Sequence, residues 1–202
     1  YRAVLAWLST GERPAEWSRQ PAAEESTVEF LLGGLRSLVE ELSAHPPEAS
    51  APTWWQEDET YGFWRRRMAH ETTMHRVDVQ DAVGVELTTV DADIALDGVD
   101  EALTLWFGRR LEMLGLSGNR EAAVAVRSGG REWLAHASRD ATSAQLVAPG
   151  VLTAADASVS AEPMMMYLWL WGRRPTREEV VVIDGDDDSV AQMWALLRLA
   201  TR

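Results

Sequence analysis

The hydrophobic pattern of this chain changes period once, near Gly115–Gly118, and that change limits the folds open to it. Upstream, apolar residues recur three and four apart, the spacing of helices that bury one face. Downstream, from Ala122, they alternate along short runs bounded by turn residues, the pattern of half-buried strands. The upstream part predicts the tail of a helix over 1–9 and a helix from Ser26 to Ala44, where Ser26 and Glu29 form a capping box. It also predicts a long helix over Tyr61–Gly84 and a fourth over about 92–113, capped by Asp91. Tyr1–Leu8 reads as the middle of a helix, so a segment of the native protein is expected to precede it. With that segment, the upstream part is expected to form an antiparallel bundle of about four helices. The downstream part predicts strands over 122–126, 132–137, 143–148, 152–160 and 180–183, with Ser128-Gly129-Gly130 as a hairpin turn. Helices over 162–171 and 187–199 complete a small α+β domain, a sheet with helices on one face. The expected boundary divides 1–116 from 117–202.

Composition narrows the function classes. The formal charge is −13, which argues against nucleic acid and anionic membrane surfaces as partners, because both would repel it. There is no cysteine, so the chain has no disulfide framework and no thiol of its own, and any sulfur nucleophile must arrive with a ligand. All 19 basic residues are arginine, and with so much alanine this hints at a high-GC genome. No apolar run approaches the length of a membrane span and no signal peptide is visible. The expected location is the cytoplasm. Ten tryptophans suggest large buried anchors and a ligand pocket.

The long helix Tyr61–Gly84 carries the candidate chemistry. Glu71 and His75, four apart, lie about 40° apart around its axis, one turn above the other. Trp64, Met68 and Ala82 share that side, with Arg67 and Asp78 at its edge, whereas His70 points elsewhere. Two readings stand side by side. Either Glu71 and His75 are a surface pair contributing a few tenths of a kcal/mol, or they are two metal ligands facing into a helix bundle. The zincin pattern is excluded, because it requires two histidines four apart with the glutamate directly after the first.

Other motifs are weaker. Asp184, Asp186 and Asp188 alternate like the start of a calcium loop, but Ser189 and Ala195 stand where that loop requires glycine and glutamate, so the run reads as a turn with Asp caps. Met164–Met166 with Trp169 and Trp171 read as core packing. Arg173 and Arg174 read either as a solvated pair favourable to a helix C-terminus or as a clamp for a substrate carboxylate. His45 and His136 read as structural.

Three runs together, FWRRRMAHETTMHRVD (Phe63–Asp78), DGVDE (Asp97–Glu101) and LWLWGRRP (Leu168–Pro175), resemble the mycothiol-dependent maleylpyruvate isomerase family over nearly the whole chain. The resemblance implies an N-terminal DinB-like four-helix bundle followed by a small sterol-carrier-like α+β domain. It implies a divalent metal, usually zinc, held by one histidine from an early helix and by a glutamate and a histidine four apart on a later one. The last two match Glu71 and His75. The first would lie upstream of Tyr1. An arginine after a glycine, matching Arg173, is implied to act at the metal cleft, and Asp78 to orient His75 or a neighbour. The implied cofactors are zinc and mycothiol, and the implied partners are a small-molecule thiol and an electrophilic substrate. The implied chemistry is addition of the thiolate to the substrate. Addition to a cis double bond followed by rotation and elimination gives an isomerase, and release of the adduct gives an S-transferase. A non-catalytic metal-binding or small-ligand-binding protein of the same fold is the alternative.

Overall fold

The computed structural model describes residues 1–148, 155–177 and 179–201. By packing, the chain divides into two compact units, Tyr1–Thr73 and Met74–Arg202.

The first unit contains α1 (Arg2–Thr10), α2 (Thr27–Ala44) and the first part of α3 (Tyr61–Val83). Ser26 closes the predicted capping box, its hydroxyl accepting from the Glu29 N–H while the Glu29 carboxylate accepts from the Ser26 N–H. α1 and α2 approach closely, because a Cβ at Gly34 would lie 3.2 Å from Cγ of Arg2. The Arg2 guanidinium also sits 4.2 Å over the Phe30 ring and pairs with Glu25. Thr60 caps α3, its hydroxyl accepting from the Phe63 N–H at 3.2 Å. Trp64 is buried and donates its indole N–H to the Pro52 carbonyl at 2.9 Å. The rings of Trp54 and Trp55 meet Phe63 edge-on.

The second unit is a five-stranded sheet covered by helices. Its strands are β1 (Ala122–Ser128), β2 (Arg131–Ala137), β3 (Thr142–Val147), β4 (Ala157–Ser160) and β5 (Val182–Gly185). Their order is β3-β2-β1-β4-β5, with β1 and β4 parallel and the other neighbours antiparallel. The β1–β2 turn is the predicted one. Gly129 and Gly130 both have positive φ, 53° and 77°, which a two-residue hairpin turn requires of its central residues. One sheet face supplies Val124, Val126, Trp133, Ala135, Ala157 and Val159 to the core, the period-two set that the sequence alternation marks. Residues 152–154 of the predicted fourth strand lie outside the described residues.

The helix after Asp91 departs from expectation in two ways. It runs as α4 (Ala92–Asp100), a π-helical segment Glu101–Arg110 and a last turn α5 (Leu111–Met113). It also belongs to the second unit, whereas its apolar stripe had grouped it with the upstream bundle. The reason is its partners. Gly98 lies against the Tyr167 ring, Trp171 donates its indole N–H to the Gly98 carbonyl at 3.1 Å, and Trp133 of β2 donates to Asp100 at 2.9 Å. Periodicity states that a face is buried but not against what. The division by packing falls inside α3, between Thr73 and Met74.

Two helices complete the unit, α6 (Pro163–Leu170) and α7 (Asp187–Ala200). Pro163 occupies the first turn of α6, where its missing N–H costs nothing. Asp186 caps α7, accepting from the Ser189 N–H at 3.1 Å.

Candidate active site

The C-terminal half of α3, the turn after α6, and α7 enclose an open cleft of about 610 Å³ within the second unit. Asp78 and Asp81 of α3, Trp171–Arg173, and Trp194, Arg198 and Thr201 line it.

The turn after α6 is built by one glycine. The Gly172 N–H donates to the Trp169 carbonyl at 2.9 Å, and the Arg173 N–H donates to the Leu168 carbonyl at 2.8 Å. This is a Schellman ending, which requires a left-handed residue at its centre. Gly172 has φ 73°, and a Cβ there would run into the Arg198 guanidinium. Arg173 and Arg174 leave this turn toward α3. Arg173 grips Asp78 with two bonds, Nε to Oδ1 at 2.9 Å and Nη2 to Oδ2 at 2.8 Å, and donates Nη1 to the Trp171 carbonyl at 2.8 Å. Arg174 grips Asp81 likewise, at 2.9 and 3.3 Å, and donates to the Arg173 carbonyl at 2.5 Å. Two consecutive arginines thus hold two carboxylates three apart on a helix, each in the fork geometry that a planar guanidinium favours.

His75 lies beside this pair, its Nδ1 3.4 Å from Oδ2 of Asp78. Hydrogen bonding from Arg173 holds the Asp78 carboxyl below the usual carboxylate range; partial burial opposes this, and the Arg173 charge and His75 add to it. Of the expected site residues, His75, Asp78 and Arg173 therefore form a continuous chain of contacts within one unit.

Glu71 is described in the first unit, where its Oε1 accepts from Nη2 of the buried Arg67 at 2.7 Å. The side chain of His75 is 70% exposed and that of Glu71 37%. The stripe containing Glu71 and His75 therefore has buried Trp64 near its start and exposed His75 and Ala82 toward its end. His70, on the other side, is buried. Glu71 and His75, a carboxylate and an imidazole four apart in the sequence, are donors of the kind a divalent metal takes. In number they fall short, because no group of three or more His, Cys, Asp and Glu side chains able to hold an ion occurs among the described residues.

Sequence reading missed Asp81 and Arg174 as partners, and Trp194, Arg198 and Thr201 as cleft walls. The one signal for the first two was the spacing itself, two aspartates three apart and two adjacent arginines after a helix-ending glycine. α7 carried no such signal.

The order of elements, helices first and then a sheet layered with helices, defines a two-part, helical and α+β class of chain. Residues 2–80 match the Mycothiol maleylpyruvate isomerase N-terminal domain and residues 93–192 match the MDMPI C-terminal domain. The chain belongs to the mycothiol-dependent maleylpyruvate isomerase family. No curated protein matches it. Among solved structures, the chain is similar to a UbiJ-SCP2 ubiquinone synthesis protein, at 19% identity and a TM-score of 0.31 over 56% of this chain and 96% of that one. It is similar to Sterol Carrier Protein 2 from Yarrowia lipolytica, at 10% identity and a TM-score of 0.32 over 53% of this chain and 97% of that one. It also matches the inverting sec-alkylsulfatase Pisa1 from Pseudomonas sp., at 11% identity and a TM-score of 0.34 over 53% of this chain, spanning 16% of the sulfatase's length. Scores this low bring no function with them. No helix among the described residues is long and apolar enough to cross a membrane.

Proposed function

We propose that this chain is a thiol-dependent enzyme acting on a small electrophile, by maleylpyruvate isomerase-like isomerisation or by S-transfer, with mycothiol as the thiol. The family supports the reaction class. The observation that carries the assignment of roles is the contact chain His75–Asp78–Arg173. Asp78 faces His75 at Nδ1, as a carboxylate behind a metal-bound histidine does when it fixes the ring's tautomer and orientation. Glu71 and His75 are this chain's share of a divalent-metal site, zinc by preference, completed by a further donor, a histidine, from outside the described residues. A metal there would hold a thiol sulfur and lower its pKa.

The chain's own residues supply the rest. Asp78 fixes Arg173 through both oxygens, so the guanidinium is oriented before a ligand arrives. Arg173 holds a substrate carboxylate or offsets negative charge as it develops, through N–H groups beyond those that grip Asp78. The cleft beside Arg173 receives the small molecules.

The test is metal content and mycothiol-dependent turnover of the full-length protein and its variants. We expect about one divalent ion per chain, lost in His75→Ala, and turnover that requires the thiol. Arg173→Ala should keep the metal and lose about 100-fold in activity, the scale of removing one preorganised charge donor. Full metal occupancy in His75→Ala would refute the ligand assignment, and unchanged kinetics in Arg173→Ala would remove its role. Metal binding without thiol-dependent turnover would favour the non-catalytic alternative.

A further inference from the structure

The C-terminus of α6 sets where Arg173 points, and its carbonyls can be accounted for one by one. A helix end leaves four carbonyls without partners inside the helix. The turn at Gly172 closes two of them, those of Leu168 and Trp169. The next two belong to Leu170 and Trp171. Arg173 itself closes the second, donating Nη1 to the Trp171 carbonyl at 2.8 Å. Arg198 of α7 closes the first, donating Nη2 to the Leu170 carbonyl. Leu170 is buried, so loss of that donor would leave its oxygen as an unmet buried acceptor.

Arg198 is itself held. Its guanidinium lies 5.3 Å over the ring of Trp194, one turn back on α7. The Trp194 indole N–H donates to the Trp169 carbonyl at 3.2 Å, a second bond from α7 to the same helix end. The Arg198 guanidinium also lies against Gly172, where a Cβ would run into Nη1. Both terminal nitrogens of Arg198 are therefore turned to the backbone around the turn, although the side chain borders the cleft.

We propose that Arg198 is a positioning residue for Arg173: it fixes the end of α6 from α7, and with it the direction in which the Gly172 turn delivers Arg173 to Asp78. The inference rests on the functional reading above only in taking Arg173 as the group that meets the substrate. Two other roles for Arg198 have different consequences. A direct substrate contact would act with or without Arg173. A purely stabilising contact would lower the melting temperature and leave Arg173 as it was. A positioning role reaches the reaction through Arg173 and ends when Arg173 is gone.

The test is Arg198→Met in the full-length protein, which keeps an apolar stem and removes the donors. The Arg173 Nε–H, bonded to Asp78 at 2.9 Å, is the first readout. It should exchange with solvent about fivefold faster, measured by ¹⁵N NMR. Thiol-dependent kcat/KM should fall about tenfold, divided between kcat and KM as Arg173→Ala divides its own loss. In an Arg173→Ala background, Arg198→Met should change kcat/KM by less than about twofold. Parental Nε–H exchange, or a loss of about tenfold on both backgrounds, overturns the proposal. If Arg198→Met melts too low for these measurements, Arg198→Lys replaces it, because an ammonium keeps a charged donor for Leu170 but no plane against Gly172. Exchange about twofold faster is then expected, and parental exchange again overturns the proposal. The exchange measurement needs neither metal nor turnover. Faster exchange without thiol-dependent turnover therefore sinks the catalytic reading alone, and turnover with parental exchange sinks this inference alone.

Discussion

Two pairs of side chains on α3 look alike in the sequence and behave differently in the fold. Glu71 and His75 are four apart, and Asp78 and Asp81 three apart, so both pairs lie on one side of the helix. Glu71 takes its hydrogen bond from Arg67, four residues back on the same helix. Asp78 and Asp81 take theirs from Arg173 and Arg174, 95 and 93 residues away. The first pair can be drawn from helical geometry alone. The second depends on where an entire sheet and two helices deliver the turn after α6. Spacing along a helix fixes which residues are neighbours, and the tertiary partner decides what they do. His75 links the two cases, because it belongs to the first pair by spacing and touches the second through Asp78.

The largest effect should come from removing what delivers the arginines. In Gly172→Ala a side chain must adopt φ 73° and displace the Arg198 guanidinium. The expected destabilisation is about 2 kcal/mol, measured by urea denaturation. The Arg173 Nε–H signal, protected by its bond to Asp78, should exchange faster. A Gly172→Ala protein with parental stability would mean that the left-handed turn does not hold the pair in place.

Arg173→Ala comes next. The pair it breaks is half-exposed, so the stability loss should be about 1 kcal/mol, well below that of the glycine change, while thiol-dependent activity falls by the larger factor given above. A loss confined to stability would place Arg173 with ordinary structural ion pairs.

The acid limb of stability sharpens the same contrast. Arg173 depresses the Asp78 pKa in the folded protein, so this carboxylate contributes stability above its unfolded pKa of about 4. That contribution is lost as pH falls through the lower, folded value. Removing Arg173 should flatten the stability profile below about pH 4. An unchanged profile would show that Asp78 titrates normally.

How far the sequence foretold these elements follows from the range of the interactions involved. The Ser26–Glu29 capping box, the Gly129-Gly130 hairpin and the Asp91 cap of α4 were legible because each is decided within three or four residues. The helix from Asp91 was legible as a helix but not as a partner of the sheet. Its stripe of Leu96, Val99 and Leu103 is buried, as periodicity required, yet nothing local states that Tyr167 and Trp133 cover it. The π-helical stretch had no sequence signal in Glu101–Arg110. Arg173 and Asp78 were each singled out, but their bond was not, because it depends on the Gly172 turn lying opposite the end of α3. Trp194, Arg198 and Thr201 stood in an unremarkable amphipathic helix, and only the fold brings them to the cleft.

The smallest effect on the fold should be His75→Ala. Its side chain is 70% exposed, so removing it deletes little buried area, and its contact with Asp78 is minor beside the Arg173 fork. Stability should change by no more than about 0.5 kcal/mol. If His75 is a metal ligand, this variant loses the ion while its apo form melts with the apo parent. If it is only a surface neighbour of Asp78, metal content is the same with and without it. A drop of 2 kcal/mol or more in apo stability would contradict both readings, because it would require His75 to be buried against something that its exposure rules out.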